Sequence, residues 1–383
     1  MGSVRNLSGA VRGLAGIGGC LALAAVTACA GAVPGAAAGS AVTSHAKKTS
    51  SPRRAVPTTT APRVRGGTLP AGNPAGGATV PVAGQEVVTS HPDHVIGNGT
   101  PASCTSAAVV AAVAAGGVIT FSCGPDPVTI TMTATATVAN TSHRVVLDGG
   151  GKVTLSGGGT TQILSMNAGW ERQWPQLVVQ NLTFTDAYSG TEQTKGTLIY
   201  GGGAIFDEGG QLKVVNSAFV GDACRPSGPD LGGGAIRAVG MYPASTVYIT
   251  DDTFQQDSCS NGGALSGLFA DFDVINSLLT DNKAIGRGAN PAAGTSGGGS
   301  GGAIYTDGAR YNLSITGTVM HGNTALEGGG GIFFVVDSGG GTLQITSSTL
   351  DDNPSGQFQN APGIFDSVNG RDTQPVVVSS SIE

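Results

Sequence analysis

Charge and aromatic rings are scarce in this chain: 11% of its 383 residues are charged and 5% aromatic, where an average globular chain carries about 25% charged residues. With 19 basic and 25 acidic residues the net charge is -6. The acids are scattered and no broad basic face exists, so a nucleic-acid partner is excluded. No C-x-x-C pair occurs, which removes the usual redox and zinc frameworks. His91-Pro92-Asp93-His94 has two imidazoles near a carboxylate but no further ligands, so no metal site is expected. No apolar run approaches the roughly 20 residues of a comfortable membrane span. A phosphate loop is missing too, because Asp148-Gly149-Gly150-Gly151-Lys152 is followed by Val153 rather than Ser or Thr.

Glycine, by contrast, is abundant, at 64 residues. A chain poor in charge yet not continuously apolar must satisfy its backbone in regular ladders and turn tightly and often. Repetitive β architecture meets both needs.

The N-terminus has its own pattern. Arg5 and Arg12 precede an uncharged stretch, 13–26, and then small residues, the order of a secretory signal. Val26-Thr27-Ala28-Cys29 matches a bacterial lipobox, which would make Cys29 the lipidated first residue of the exported protein. Cleavage after Ala28-Cys29-Ala30, an A-x-A pattern, or among the following alanines is the alternative. From 30 to 99 the chain is rich in Ala, Thr, Pro, Ser and Gly, with little periodic apolar pattern, and reads as a disordered tether. Lys47, Lys48, Arg53, Arg54, Arg63 and Arg65 make it cationic, suited to anionic envelope polymers. The expected organisation is therefore 1–29 signal, 30–99 tether and 100–383 body, outside the cell or on its envelope.

Within the body one template recurs, anchored on Phe184, Phe219, Phe254, Leu279, Met320 and Leu350. Seven and five positions before each anchor stand Leu177/Val179, Leu212/Val214, Val247/Ile249, Phe272/Val274, Leu313/Ile315 and Leu343/Ile345. Between them come Val178, Lys213, Tyr248, Asp273, Ser314 and Gln344, the period-2 alternation of a strand with one buried face. Three positions before the anchors, Asn181, Asn216, Asp251, Asn276, Gly317 and Ser347 mark a bend. Three positions after the later anchors, Asp222, Asp257, Asn282, Asn323 and Asn353 mark a second. A glycine-rich strand start, such as Gly233-Gly234-Ala235-Ile236, completes each unit. No unit can bury its apolar face alone, so units must stack and share one core. A β-propeller is disfavoured, because its blades need four hairpin-linked strands in some forty residues, and the coil 233–261 is too short.

The pairing of Gly-Gly-Ala-Ile with Phe-x-x-Asn or Asp resembles the repeats of the polymorphic outer-membrane protein family, within the pectate-lyase-like β-helix group. The likeness covers 175–353 and, more weakly, 104–159. It implies an all-β fold, a right-handed parallel β-helix. The secretion barrel of that family has no counterpart after Asn353, and the signal at the N-terminus is expected to replace it. Residues 104–116 read as a helix with Ala107, Val109, Val110 and Val113 on its apolar face, capping the first rung. At the other end, 376–381 repeats the strand-and-bend template and places Glu383 at the anchor position of an incomplete rung. Its open edge could support end-to-end self-association.

Setting aside Cys20 and Cys29, four cysteines remain in an oxidising compartment. Cys224 and Cys259 each fall five positions after their anchors, one column on consecutive rungs. Neighbours about 4.8 Å apart can be bridged, so Cys224 is expected to pair with Cys259, and Cys104 with Cys123 to pin the cap.

Chemistry is harder to place. Asp251-Asp252 and His321-Gly322 look like polygalacturonase motifs, but the register sets a whole rung between them. A column after the glycine-rich starts, Phe206, Arg237, Ser266, Tyr305 and Phe333, would be an outward platform for sugar rings, with Phe206, Arg237, Tyr305 and Phe333 as glycan-binding residues, or else a structural column with Phe206 and Phe333 partly covered by neighbouring loops and no common ligand. Asp207 and Glu208, beside Arg237, are the acid/base candidates. The resulting expectation is an envelope-anchored surface protein that binds polysaccharide, cell-surface glycan or a partner surface, with a lipid as its sole membrane attachment and no cofactor. The alternative is a polysaccharide lyase or glycoside hydrolase, the lyase with carboxylate-held calcium.

Overall fold

The computed structural model describes residues 69–190, 200–229, 231–289 and 297–383. The signal, Cys29 and the stretch 30–68 lie outside the described residues.

The body is a parallel β-helix. Consecutive rungs add strands to a 17-stranded sheet A, a 9-stranded sheet B and a 5-stranded sheet C. Sheet A carries the expected register: Phe184, Phe219, Phe254, Leu279, Met320 and Leu350 are direct partners from rung to rung. All six are buried. The rings of Phe184, Phe219 and Phe254 stack with centroids 4.8 and 4.7 Å apart, because parallel strands repeat at that spacing and identical residues superpose. At the first bend Asn181, Asn216, Asp251, Asn276, Gly317 and Ser347 all adopt left-handed backbone, with φ between 46° and 62°. In sheet B the second glycine of each start lies flat on the next rung: a Cβ on Gly234 would sit 2.2 Å from Gly263 O.

The last rung follows the template one residue earlier than expected. Ile382, not Glu383, pairs with Leu350, and Ser379 is the left-handed bend residue. The valines 376–378 and serines 379–381 fit the template in either register, and the apolar Ile382 at the anchor position separates the two.

Over the first rung sits helix α1, Ser106–Ala115, with the Thr105 hydroxyl accepting from Ala108 N at 3.2 Å. Val109 and Val113 are buried and Val110 packs against the core, whereas Ala107 is exposed. Cys104 and Cys123 are joined beside it, and Cys224 is joined to Cys259 across sheet C, with Cα atoms 5.7 and 4.7 Å apart.

The tether boundary at 99 is corrected. Residues 69–93 are laid onto the outside of sheet A, and His94–Ile96 adds a parallel strand beside Gly117–Phe121. Apolar periodicity could not have shown this, because the segment docks through its main chain.

Candidate functional site

The column proposed as a sugar platform forms, but it is sealed. Phe206, Arg237, Ser266, Tyr305, Phe333 and Phe365 are partners on successive rungs of sheet B. Tyr305 stacks on Phe333 at 4.9 Å and Phe358 stands edge-on to Phe333 at 6.4 Å. The main chain at Gly232 lies against Arg237, whose guanidinium donates to Ser266 Oγ. The Tyr305 hydroxyl donates to Asp307 Oδ2 at 3.0 Å. Phe206, Arg237, Tyr305 and Phe333 are thus between 2% and 8% exposed and offer no face to a glycan. The column is a packed layer between sheet B and the loops that cross it.

The acid/base candidates do not converge. Register pairs Arg237 with Phe206, while Asp207 faces Ala238 and Met166. Asp207 therefore points into the core and Arg237 away from it, on opposite faces of one sheet. Both Asp207 carboxylate oxygens are buried without a hydrogen-bond partner. Burial, helped by the charge of Glu208, holds its pKa well above the usual carboxylate range and favours its neutral form. Glu208 is partly exposed, with its pKa raised by burial. Asp252 is structural as well, accepting from Ser217 N at 2.7 Å and Thr250 N at 2.9 Å. His321 pairs with Asp351, at 3.2 Å, away from the Asp251-Asp252 pair.

Exposed rings occur elsewhere. Both tryptophans of the chain, Trp170 at 45% and Trp174 at 42% exposed, stand with Phe269, at 36%, on the edge where sheet B turns into sheet A. Trp170 meets Phe269 edge-on at 5.2 Å, and Trp174 meets His143 at 5.4 Å. Trp170 is placed by Gly240, whose missing side chain leaves room for the indole. Beside these rings runs a groove of about 470 Å³, lined by Glu171, Tyr242, Phe269, Asp271 and Arg310. Glu171, Phe269 and Arg310 come from turns of different rungs, and each holds left-handed backbone, at φ 54°, 54° and 57°. Such backbone costs on the order of 1 kcal/mol per non-glycine residue, as it does at the bends of sheet A.

Behind Phe269 lies Asp307, whose carbonyl accepts from Phe269 N at 3.1 Å. Its carboxyl pKa is pushed up to about 6, first by burial and then by the charge of Asp337. Among the described residues no group of three His, Cys, Asp or Glu could hold a metal ion.

The edge was missed because its residues belong to connecting loops, where the template is silent. One signal was present: two tryptophans within 170–174, in a chain with 5% aromatics, just ahead of a strand.

Comparison of the chain with protein-family models, with curated proteins and with solved structures gives no match. The likeness to polymorphic outer-membrane protein repeats therefore rests on the Gly-Gly-Ala-Ile and Phe-x-x-Asn motifs alone.

Proposed function

We propose that this is an exported, envelope-anchored β-helix that binds polysaccharide along its aromatic edge. The observation that carries the reading is the exposure of both tryptophans and Phe269 on one edge of a stacked scaffold, beside a groove with polar walls. Large aromatic side chains are normally buried, and clusters left in water mark interaction surfaces. Sugar rings present C–H faces that pack on such rings, while Glu171, Asp271 and Arg310 can bond hydroxyl groups. Turns from several rungs contribute, so the groove suits a linear chain laid along the solenoid rather than a single sugar. Export is supported by the order of residues in 1–29 and by two disulfides, which persist in oxidising compartments.

The test is a glycan array probed with the protein and with Trp170→Ala/Phe269→Ala. The proposal expects binding that falls at least tenfold in the variant while Arg237→Lys, in the sealed column, retains it. Equal binding by both aromatic-edge forms sinks the proposal. The same polysaccharides, incubated with and without calcium and assayed for new reducing ends or unsaturated products, distinguish a binding protein from a lyase or hydrolase.

A further inference from the structure

We propose that the outer face of sheet A is a peptide-docking surface, filled within one chain by residues 70–89 and open to the same segment of a second copy.

The contacts are of an unusual kind. Gln180 meets Val87 twice, accepting from its N–H at 2.9 Å and donating to its carbonyl at 3.0 Å. Asn276 does the same with Ala78, at 2.9 and 3.0 Å, and its own carbonyl accepts from Asn73 N at 2.8 Å. Asn216 accepts from Ala71 N and Thr253 from Gly72 N, both at 2.9 Å, and Lys213 donates to Gln85 O at 2.6 Å. Side-chain amides projecting from successive rungs thus replace the edge of a strand and read the segment through its backbone. The segment's own side chains add two bonds, from Asn73 Nδ2 to Gly317 O at 2.9 Å and from Thr89 Oγ1 to Asp148 Oδ2 at 2.6 Å, while Val82 and Val88 are exposed. A surface that reads main chain does not depend on which chain supplies it.

Selectivity comes from exclusion. A Cβ on Gly72 would lie 2.7 Å from Asn276 O, and one on Gly76 would lie 2.8 Å from Asn276 Cβ. At Gly84 the ring of Tyr248 would be 3.1 Å away. A seated peptide therefore needs glycine at positions 72 and 76 and has little room for a side chain at 84, a pattern that 70–89 satisfies and an arbitrary extended peptide does not. That commits the surface to a second copy of this chain. Ser90 and His91, exposed between the segment and its first ladder bond at Asp93, form the hinge. Exchange of an identical element leaves every contact intact, so its thermodynamic cost is small.

The experiment mixes two full-length variants, one carrying Ala78→Cys and the other Asn276→Cys, at high concentration under mild oxidation, with the product mapped by mass spectrometry. A covalent dimer of twice the chain mass, bonded between positions 78 and 276, is the expected result. Adding Gly76→Val to the first variant should abolish it. A chain with both cysteine substitutions that closes its own bond, while the mixed single variants stay monomeric, overturns exchange. Amides of 71–87 in the parent chain that exchange as fast as those of an unfolded peptide overturn the docking itself.

Discussion

At the second bend, the third residue after each anchor faces inward and forms a ladder. Asp222 N donates to Asp257 Oδ1, Asp257 N to Asn282 Oδ1, Asn282 N to Asn323 Oδ1 and Asn323 N to Asn353 Oδ1, at 2.8 to 3.1 Å. Each asparagine also turns its amide group toward the anchor carbonyl of the preceding rung: Asn282 to Phe254, Asn323 to Leu279 and Asn353 to Met320. Asp222 and Asp257 occupy the same column, and their Oδ2 atoms are buried without a partner. An ionised carboxylate there would set acceptor against acceptor, whereas a protonated one donates as asparagine does. Burial raises both pKa values well above the carboxylate range, with Asp186 adding to Asp222 and Asp222 to Asp257. Because the folded pKa exceeds the unfolded value of about 3.9, this stability is complete below that pH and is lost as pH rises through the folded pKa. Asp257→Asn should therefore raise the unfolding free energy by about 1 to 2 kcal/mol at pH 7, with the gain shrinking toward pH 4. Chemical denaturation at the two pH values measures it, and a variant no more stable than the parent at pH 7 contradicts the protonated ladder. The bend itself was legible from the sequence, since Asp and Asn are both turn formers. Its inward aim was not, because nothing in a single sequence distinguishes a turn residue in water from one in the core.

At the scale of elements, the legible parts were those with a period. Anchors, alternation and bends follow the strand repeat, and each found its partner in the next rung. The column of Phe206, Arg237, Tyr305 and Phe333 was legible as a column, and loops partly covering Phe206 and Phe333 were one of its two expected readings; that the cover closes over Arg237 and Tyr305 as well was not legible, because the crossing loops have no repeat of their own. The docked segment escaped for a related reason: a chain held by its main chain need show no pattern in its side chains. Its contacts give a prediction. Asn276→Ala combined with Gln180→Ala removes four side-chain bonds to the segment. Amide exchange in 71–87 should rise at least tenfold while the core strand Thr246–Thr250 keeps its protection; unchanged exchange contradicts the docking. Core rungs should respond differently. Phe254→Ala deletes a ring stacked beside Phe219 and should destabilise by roughly 3 to 5 kcal/mol in a thermal or denaturant melt. A cost under about 1 kcal/mol would mean that neighbouring rungs collapse into the space.

For the whole molecule, the fold puts its repeated residues inside and its irregular ones on the edges, so the functional candidate falls where the repeat is weakest. That is why the fold could be read and the site could not. The proposed attachment to the envelope is tested on the full chain: Cys29→Ser should move the protein from the membrane fraction to the medium or the soluble envelope fraction, and unchanged fractionation contradicts lipid anchoring. The central claim is that polysaccharide lies along the edge formed by Trp170, Trp174 and Phe269. Trp170 and Trp174 are the two tryptophans of the chain, so tryptophan fluorescence reports on that edge. The decisive measurement is a fluorescence titration with a polysaccharide that binds on the array. A saturable change in tryptophan emission, with a midpoint matching the binding constant measured by calorimetry, is the predicted result. Calorimetric binding with unaltered emission would place the ligand elsewhere and contradict the account.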